Sequence, residues 1–176
     1  IKTVSNFTEN LLQHLKKIRV TIEGESSTRS VFCAFIPMKS LQKEKARGMI
    51  QNYSLLNSFL STDNIKMNGT PFIEVTNWNI ENDSIAYNFC FPIIKNDSLP
   101  KHSLIQYKQY NQVTALKAVY NGNYITSDRA WYALLDYAKQ NNIAVNNNPV
   151  EVFYNNPNYG GDEMRWKAEI YMPIKE

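Results

Sequence analysis

The stretch Pro149–Ile174, PVEVFYNNPNYGGDEMRWKAEIYMPI, gives the clearest indication of the fold, because it contains two strand-like runs separated by a long turn. The first run, 150–154, is rich in β-branched and aromatic residues, and the second, 166–172, ends at Pro173. The segment between them is rich in asparagine, proline and glycine, which favour turns. The pattern predicts an antiparallel hairpin with a long loop.

Each of the two runs has one apolar face and one face that carries a charge. Because successive side chains of a strand point to opposite faces, Glu151 and Phe153 share the side of the first run opposite its valines. On the second run, Glu169 and Tyr171 share the side opposite Ile170. A glutamate therefore lies two residues from an aromatic ring on each strand.

We expect Glu151 and Glu169 to share one groove and to favour a flat ligand that is cationic or electron-poor. A carboxylate attracts a cation by charge, and a neighbouring ring adds about 0.5–2 kcal/mol by cation–π contact. Two carboxylates at close range would also raise each other's pKa. The alternative for both residues is an ordinary strand face in contact with solvent.

Two segments of the chain resemble a known family. The closing hairpin of the GyrI-like effector-binding domains is similar to 151–156, EVFYNN, and to 166–174, WKAEIYMPI. An Arg-Gly-Pro-Tyr…Trp-x-x-Leu segment of that family is similar to 120–134, YNGNYITSDRAWYAL, although Asn121 and Asn123 replace the basic residue and the proline. The resemblance is firm from about residue 105 to the end and fainter before it.

The resemblance implies a binding module for a small aromatic or cationic organic molecule, with the matching glutamates facing the ligand. The family includes ligand-sensing domains of multidrug-responsive transcription regulators. Two other functions occur among similar proteins and remain open. One is hydrolysis of electrophilic small molecules with a groove glutamate as general base, and the other is protein binding, as in a bacterial gyrase inhibitor.

The chain contains an internal repeat in which each half has the order strand, strand, helix, strand, strand. Repeat one covers 17–95 and repeat two covers 104–175, with a linker at 96–103 between them. The predicted helices run over 40–60 and 127–140, and we expect a hairpin on each side of each helix. This order predicts an α+β fold, an antiparallel sheet of two pseudo-symmetric repeats with helices on its outer face and a central groove.

Alignment of the two repeats extends the candidate site. Glu74 is placed where Glu151 stands in repeat two, and Asn88 where Glu169 stands. Trp131 and Trp166 are expected in the core. Eight residues form the predicted ligand-binding set: Glu74, Asn88, Tyr120, Tyr124, Glu151, Phe153, Glu169 and Tyr171.

Composition and motifs argue against several other classes of protein. The net charge of +3 is too small to indicate nucleic-acid binding. No apolar run reaches the roughly 18 residues of a membrane-spanning helix. His14 and His102 lack partners at metal-ligand spacing, and we expect no metal, no cofactor and no catalytic triad. We expect a cytoplasmic protein whose partner is a small organic ligand.

The first residues are interpreted separately. A helical stripe over 5–16 follows a capping serine, and the chain begins at Ile1 without a methionine. We therefore expect residues 1–16 to be the remnant of an upstream segment, either a fused domain or an anchor.

Deletion of residues 1–16 should leave a folded domain with its ligand binding intact, because none of the predicted site residues lies there. Thermal unfolding followed by circular dichroism tests this. Loss of a cooperative transition in the shortened chain would instead make the first helix integral to the fold.

Overall fold

A single antiparallel sheet of eight strands carries two α-helices over residues 18–175, the part of the chain that the computed structural model describes. The prediction of an α+β fold is confirmed. The predicted helix at 5–16 lies outside the described residues. The elements are β1 Arg19–Ser27, β2 Val31–Leu41, α1 Lys45–Thr62, β3 Phe72–Asn79, β4 Ser84–Pro92, β5 Gln106–Tyr110, β6 Thr114–Asn121, α2 Arg129–Gln140, β7 Val150–Phe153 and β8 Lys167–Pro173.

The strand order, β1-β6-β8-β7-β3-β4-β2-β5, is symmetric about the central β7–β3 pair. Each repeat contributes its first strand to the other repeat, because β1 pairs with β6 and β5 pairs with β2. The expectation that β1 and β2, or β5 and β6, form hairpins is therefore wrong. The two short connections meet instead, and the Thr28 N–H donates to the Val113 carbonyl at 3.0 Å.

This exchange forces the sheet to curl. Strands β1 and β2 are six places apart in the sheet, a distance of about 29 Å if the sheet were flat. Only residues 28–30 connect them, and so short a connection spans at most about 14 Å. The sheet must therefore bend until its edges approach, which gives it a concave face and a convex face.

Both helices pack on the convex face and form the larger core with the sheet. Leu56 of α1, together with Trp131 and Leu134 of α2, is fully buried there against strand residues such as Ile73 and Ile170. The core position predicted for Trp131 is confirmed. The concave face has a smaller apolar cluster that includes Phe72, Cys90, Tyr110, Val150 and Tyr171.

The first predicted helix begins later than expected. Strand β2 continues through Pro37 to Leu41, and a short 3-10 turn, Gln42–Glu44, precedes α1. Pairing with β5 ends at Phe35, so Pro37 lies where β2 has β4 as its one neighbour among the described strands. A proline is tolerated at such an edge because its missing N–H has no partner to lose.

The register at the centre of the sheet corrects the alignment of the two repeats. Ile73, and not Glu74, lies opposite Glu151 at the symmetric β3–β7 contact. Glu74 lies opposite Val150 instead. A slip of one residue moves a side chain to the other face of a strand, so Glu74 and Glu151 lie on opposite faces of the sheet.

Candidate ligand-binding site

Two cavities of similar size lie at the junction of the repeats, one on each face of the sheet. The helix-side cavity has a volume of about 390 Å³ and lies between α1, the Tyr124–Thr126 turn and the loop that follows β7. Its walls are mostly apolar and aromatic. They include Met49, Ile50, Tyr53, Phe89, Tyr124, Ile125, Phe153 and Trp166.

The aromatic wall of the helix-side cavity is held in place. The Tyr124 ring lies 5.0 Å from Phe153 and 5.7 Å from Trp166, measured between ring centroids. Its hydroxyl donates to the Lys167 carbonyl at 2.7 Å and accepts from the Asn155 N–H at 3.2 Å. Burial raises the pKa of Tyr124 to about 12, so the ring remains neutral at physiological pH.

Glu151 is not part of the wall of this cavity, but it is fully buried on the same, helix side of the sheet. Its two oxygens accept from the Lys45 ammonium at 2.6 and 2.8 Å. Lys45 is the first residue of α1 and is also fully buried. Its ammonium donates to the Ser127 hydroxyl at 2.7 Å and lies 4.8 Å from the centre of the Trp131 ring.

The Lys45–Glu151–Ser127 cluster links the two repeats. Lys45 belongs to repeat one, whereas Glu151 and Ser127 belong to repeat two. A buried charge is tolerated when it is paired and its remaining hydrogen-bonding capacity is satisfied. The cluster meets this condition, and as a result Glu151 presents no uncompensated charge to the helix-side cavity.

The concave-face cavity also has a volume of about 390 Å³ but is more polar. Phe72, Val150 and Val152 supply apolar surface, and Tyr110, Tyr154 and Tyr171 supply aromatic rings. Thr28, Arg29, Lys117 and Glu169 supply polar groups. Tyr154, Gly69 and Thr70 line both cavities, so the two lie on either side of the same strand ends.

Glu169 is the centre of the polar network in the concave-face cavity. It accepts from Tyr154 at 2.8 Å, Tyr171 at 2.9 Å and Lys167 at 2.8 Å, and Lys117 lies 3.2 Å away. Burial alone would raise the pKa of Glu169, but these four donors together outweigh burial and lower it to about 2. The carboxylate is therefore ionised throughout the physiological range.

The same network fixes the protonation of its partners. Burial and the hydrogen bond to Glu169 raise the pKa of Tyr171 to about 12. Burial would lower the pKa of Lys117, but contacts with Glu23 and Glu169 raise it well above its ordinary value. Lys117 is thus held as a cation between two carboxylates, and Tyr171 as a neutral donor.

The predicted site residues divide between the two faces. Glu169 and Tyr171 line the concave-face cavity, and Tyr124 and Phe153 line the helix-side cavity. Four residues lie outside both cavity walls. Glu151 is buried on the helix side, Glu74 and Asn88 are hydrogen-bonded to each other on the concave face, and Tyr120 is buried with its hydroxyl donating to the Asn123 carbonyl.

The expectation that Glu151 and Glu169 share one groove is wrong. In the β7–β8 register Glu151 lies opposite Ile170, and Glu169 lies opposite Val152, so the two carboxylates are on opposite faces. The expected mutual rise in pKa is wrong as well, because the pKa of Glu169 is lowered. The physical reason is that Glu151 is stabilised on the helix side by Lys45, which is 106 residues away in the sequence.

Several site residues were missed by sequence reasoning. Lys45 lies in the second turn of the helix predicted over 40–60 and Ser127 at the start of the one predicted over 127–140, where polar residues are ordinary, and nothing local marks either as buried. Arg29 lies in the short connection after β1 and Lys117 lies within β6, the strand that pairs with β1, and only the pairing of strands from different repeats shows that they line one cavity. Tyr154 could have been predicted from the sequence, because it lies two residues after Val152 and therefore on the same face of the first run of the hairpin.

Comparison with known proteins agrees with this architecture. The family model for the GyrI-like small molecule binding domain matches residues 40–175. The chain belongs to the GyrI-like family. No curated protein matches the sequence. Among the helices of residues 18–175, none is both long enough and apolar enough to cross a membrane.

Three solved structures share the GyrI-like fold at low sequence identity. The C-terminal domain of EcmrR has a TM-score of 0.73 at 13% identity, over 90% of this chain and 98% of that chain. SAV2435 bound to tetraphenylphosphonium has a TM-score of 0.59 at 11% identity, over 88% and 94%. A hydrolase from Listeria innocua has a TM-score of 0.53 at 7% identity, over 86% and 92%.

Replacement of Lys45 by methionine should destabilise the protein by about 3–5 kcal/mol, because it leaves the Glu151 carboxylate buried without its cation. Urea unfolding measures this change. The double variant Lys45→Met with Glu151→Leu should recover most of the loss, since no charge then remains buried. Lys43→Met, an exposed position two residues earlier, is the matched control and should be nearly neutral. A neutral effect of Lys45→Met would contradict the burial of the pair.

The low pKa of Glu169 should appear in the pH dependence of stability. Its pKa is depressed from an ordinary 4.5 to about 2, so its contribution is complete above about pH 4.5 and is lost as the pH falls towards 2. Glu169→Gln should therefore unfold more easily than the parent at neutral pH, with a difference that shrinks between pH 4.5 and 2. Thermal melts across this range provide the measurement, with the exposed turn residue variant Glu81→Gln as control. A constant difference between parent and Glu169→Gln would argue against the shift.

Proposed function

We propose that this protein binds a small organic molecule with an apolar, aromatic body in the helix-side cavity. The observation that carries the proposal is the cavity itself, about 390 Å³ with mostly apolar and aromatic walls. Ligand pockets in proteins typically have volumes of about 300–1,000 Å³ and walls of this kind. Membership of the GyrI-like small molecule binding family supports the same assignment.

Polar groups at the edge of the helix-side cavity would orient the ligand. The side chains of Asn123, Asn155, Asn156 and Asn158 line it and are half-buried or exposed. Amide side chains offer both donors and acceptors, which suits a ligand with a carbonyl, hydroxyl or amine substituent. The aromatic wall formed by Tyr124, Phe153 and Trp166 would stack against a ring.

The preferred ligand of the helix-side cavity is neutral. Glu151 is the predicted site carboxylate on the helix side that could attract a cation, but Lys45 already neutralises it. To pair with Glu151, a cationic ligand would have to displace the Lys45 ammonium. One buried cation would then replace another, so the charge of the ligand would add nothing to its affinity. The structure of the similar SAV2435 contains tetraphenylphosphonium, a bulky aromatic cation, and we expect the aromatic rings of such a ligand to matter more to this chain than its charge.

A binding function is favoured over hydrolysis. A general base works best when its pKa is close to the working pH. Glu169, with a pKa of about 2, is a weak base at neutral pH. Glu151 is bonded through both oxygens to Lys45, which leaves it poorly placed to activate water.

Titration with N-phenyl-1-naphthylamine, a neutral fluorescent aromatic, tests the proposal. The parent should bind it, and Ala46→Leu should weaken binding about tenfold or more, because Ala46 lines the cavity and the larger side chain fills it. Ile50→Ala, at the partly exposed edge of the cavity, should weaken binding severalfold without crowding the core.

The matched control is Ala133→Leu on α2, which lines neither cavity and should bind like the parent. Tetraphenylphosphonium should bind the parent more weakly than the neutral probe does. Binding that is unchanged in both Ala46→Leu and Ile50→Ala would exclude the helix-side cavity as the site.

A further inference from the structure

The concave-face cavity carries an excess of positive charge. Glu23 and Glu169 are the carboxylates of its polar network, and each already has a lysine partner, since Lys117 lies between them and Lys167 also contacts Glu169. Arg29 lines the same cavity, is exposed, and forms no ion pair within residues 18–175. Its guanidinium is therefore available to a ligand. Arginine is also the residue type best suited to bind a carboxylate or sulfonate, through two parallel hydrogen bonds.

A buried hydroxyl in this cavity also lacks a partner. Tyr110 lines the cavity and is buried, with 7% of its surface exposed, yet its hydroxyl makes no hydrogen bond within the described part of the chain. The Thr28 hydroxyl lies nearby but not in hydrogen-bonding geometry. Buried polar groups are normally satisfied, and one that is not is a candidate donor to a ligand.

The other groups that line the concave-face cavity favour a flat molecule that carries hydrogen-bond acceptors. Tyr154 and Tyr171 donate their single hydroxyl protons to Glu169, so neither offers that proton to a ligand. The charged or buried donors left over are the Arg29 guanidinium and the Tyr110 hydroxyl, together with any N–H of Lys117 that its two carboxylates do not use, and Ser27, Thr28, Asn68 and Thr70 add neutral polar groups to the wall. Phe72 and the β7 valines give apolar surface on which a ring can lie.

We propose that the concave-face cavity is a second ligand site, which takes a flat organic anion such as an aromatic carboxylate or sulfonate. The Arg29 guanidinium binds the anionic group, the Tyr110 hydroxyl donates to an oxygen of the ligand, and the ring lies against Phe72 and Val152. The site is on the opposite face of the sheet from the helix-side cavity, so the chain binds two ligands of different charge. The two sites adjoin at Tyr154, Gly69 and Thr70.

Fluorescence and calorimetric titration of the full chain with 8-anilinonaphthalene-1-sulfonate tests this site. N-phenyl-1-naphthylamine has the same rings without the sulfonate and serves as the neutral comparison. Arg29→Gln should weaken binding of the sulfonate about tenfold while leaving the neutral probe unaffected, since it removes a charge-assisted contact. Tyr110→Phe should weaken the sulfonate severalfold and leave thermal stability unchanged or higher, because it removes a hydroxyl that has no partner in the described chain.

Two control variants separate the outcomes. Arg47→Gln removes the same charge from an exposed position on α1 and should leave sulfonate binding unchanged. Ala46→Leu should affect the neutral probe and not the sulfonate. The proposal is overturned if the sulfonate does not bind, if Arg29→Gln and Arg47→Gln weaken it equally, or if only Ala46→Leu weakens it. Because the sulfonate and the neutral probe respond to different variants, failure of this site and failure of the helix-side site are distinguishable.

Discussion

The short connection between β1 and β2 imposes the curvature of the sheet, and the positions of both cavities follow from that curvature. Three residues, 28–30, must join strands that are six places apart in the sheet, and they can do so only if the sheet curls. The curl separates a convex face, where the helices pack, from a concave face that closes around its own cavity. It also brings Tyr110 of the edge strand β5 to the same cavity as Lys117 of β6, with Arg29 of the short connection beside them.

The exchange of first strands makes the two repeats interdependent. Neither repeat has a complete sheet of its own, because β1 completes repeat two and β5 completes repeat one. The Lys45–Glu151–Ser127 cluster adds a second link, made by side chains instead of backbone. Since replacing a buried ion pair by apolar residues is often neutral, its role is better described as fixing the position of the α1 N-terminus than as adding stability.

Both cavities follow one electrostatic rule, since each glutamate at a cavity has a lysine partner. Glu151 is neutralised by Lys45 on the helix side, and Glu169 by Lys117 and Lys167 on the concave side. These lysine–glutamate ion pairs change the ligand charge that each cavity would favour, because unpaired glutamates would favour a cation. It leaves the helix-side cavity without net charge and the concave-face cavity with the positive charge of Arg29, so the chemistry of the two sites differs although their volumes are alike.

The resemblance of three short segments was enough to indicate the family, and strand alternation, prolines and turn residues, which are local signals, predicted the order of the elements and two pseudo-symmetric repeats. It also predicted that Glu169 and Tyr171 share the face of their strand opposite Ile170, and that Trp131 lies in the core, as the structure has them. Only the tertiary structure decided which face Glu151 occupies, since strand alternation names two faces without saying which one is covered by helices. That choice depends on Lys45, a residue 106 positions away whose burial has no local signature. The exchange of β1 and β5 between the repeats could not be predicted from the sequence either. The same strands can pair within a repeat or between repeats, and the packing of the whole sheet selects one of these two pairings.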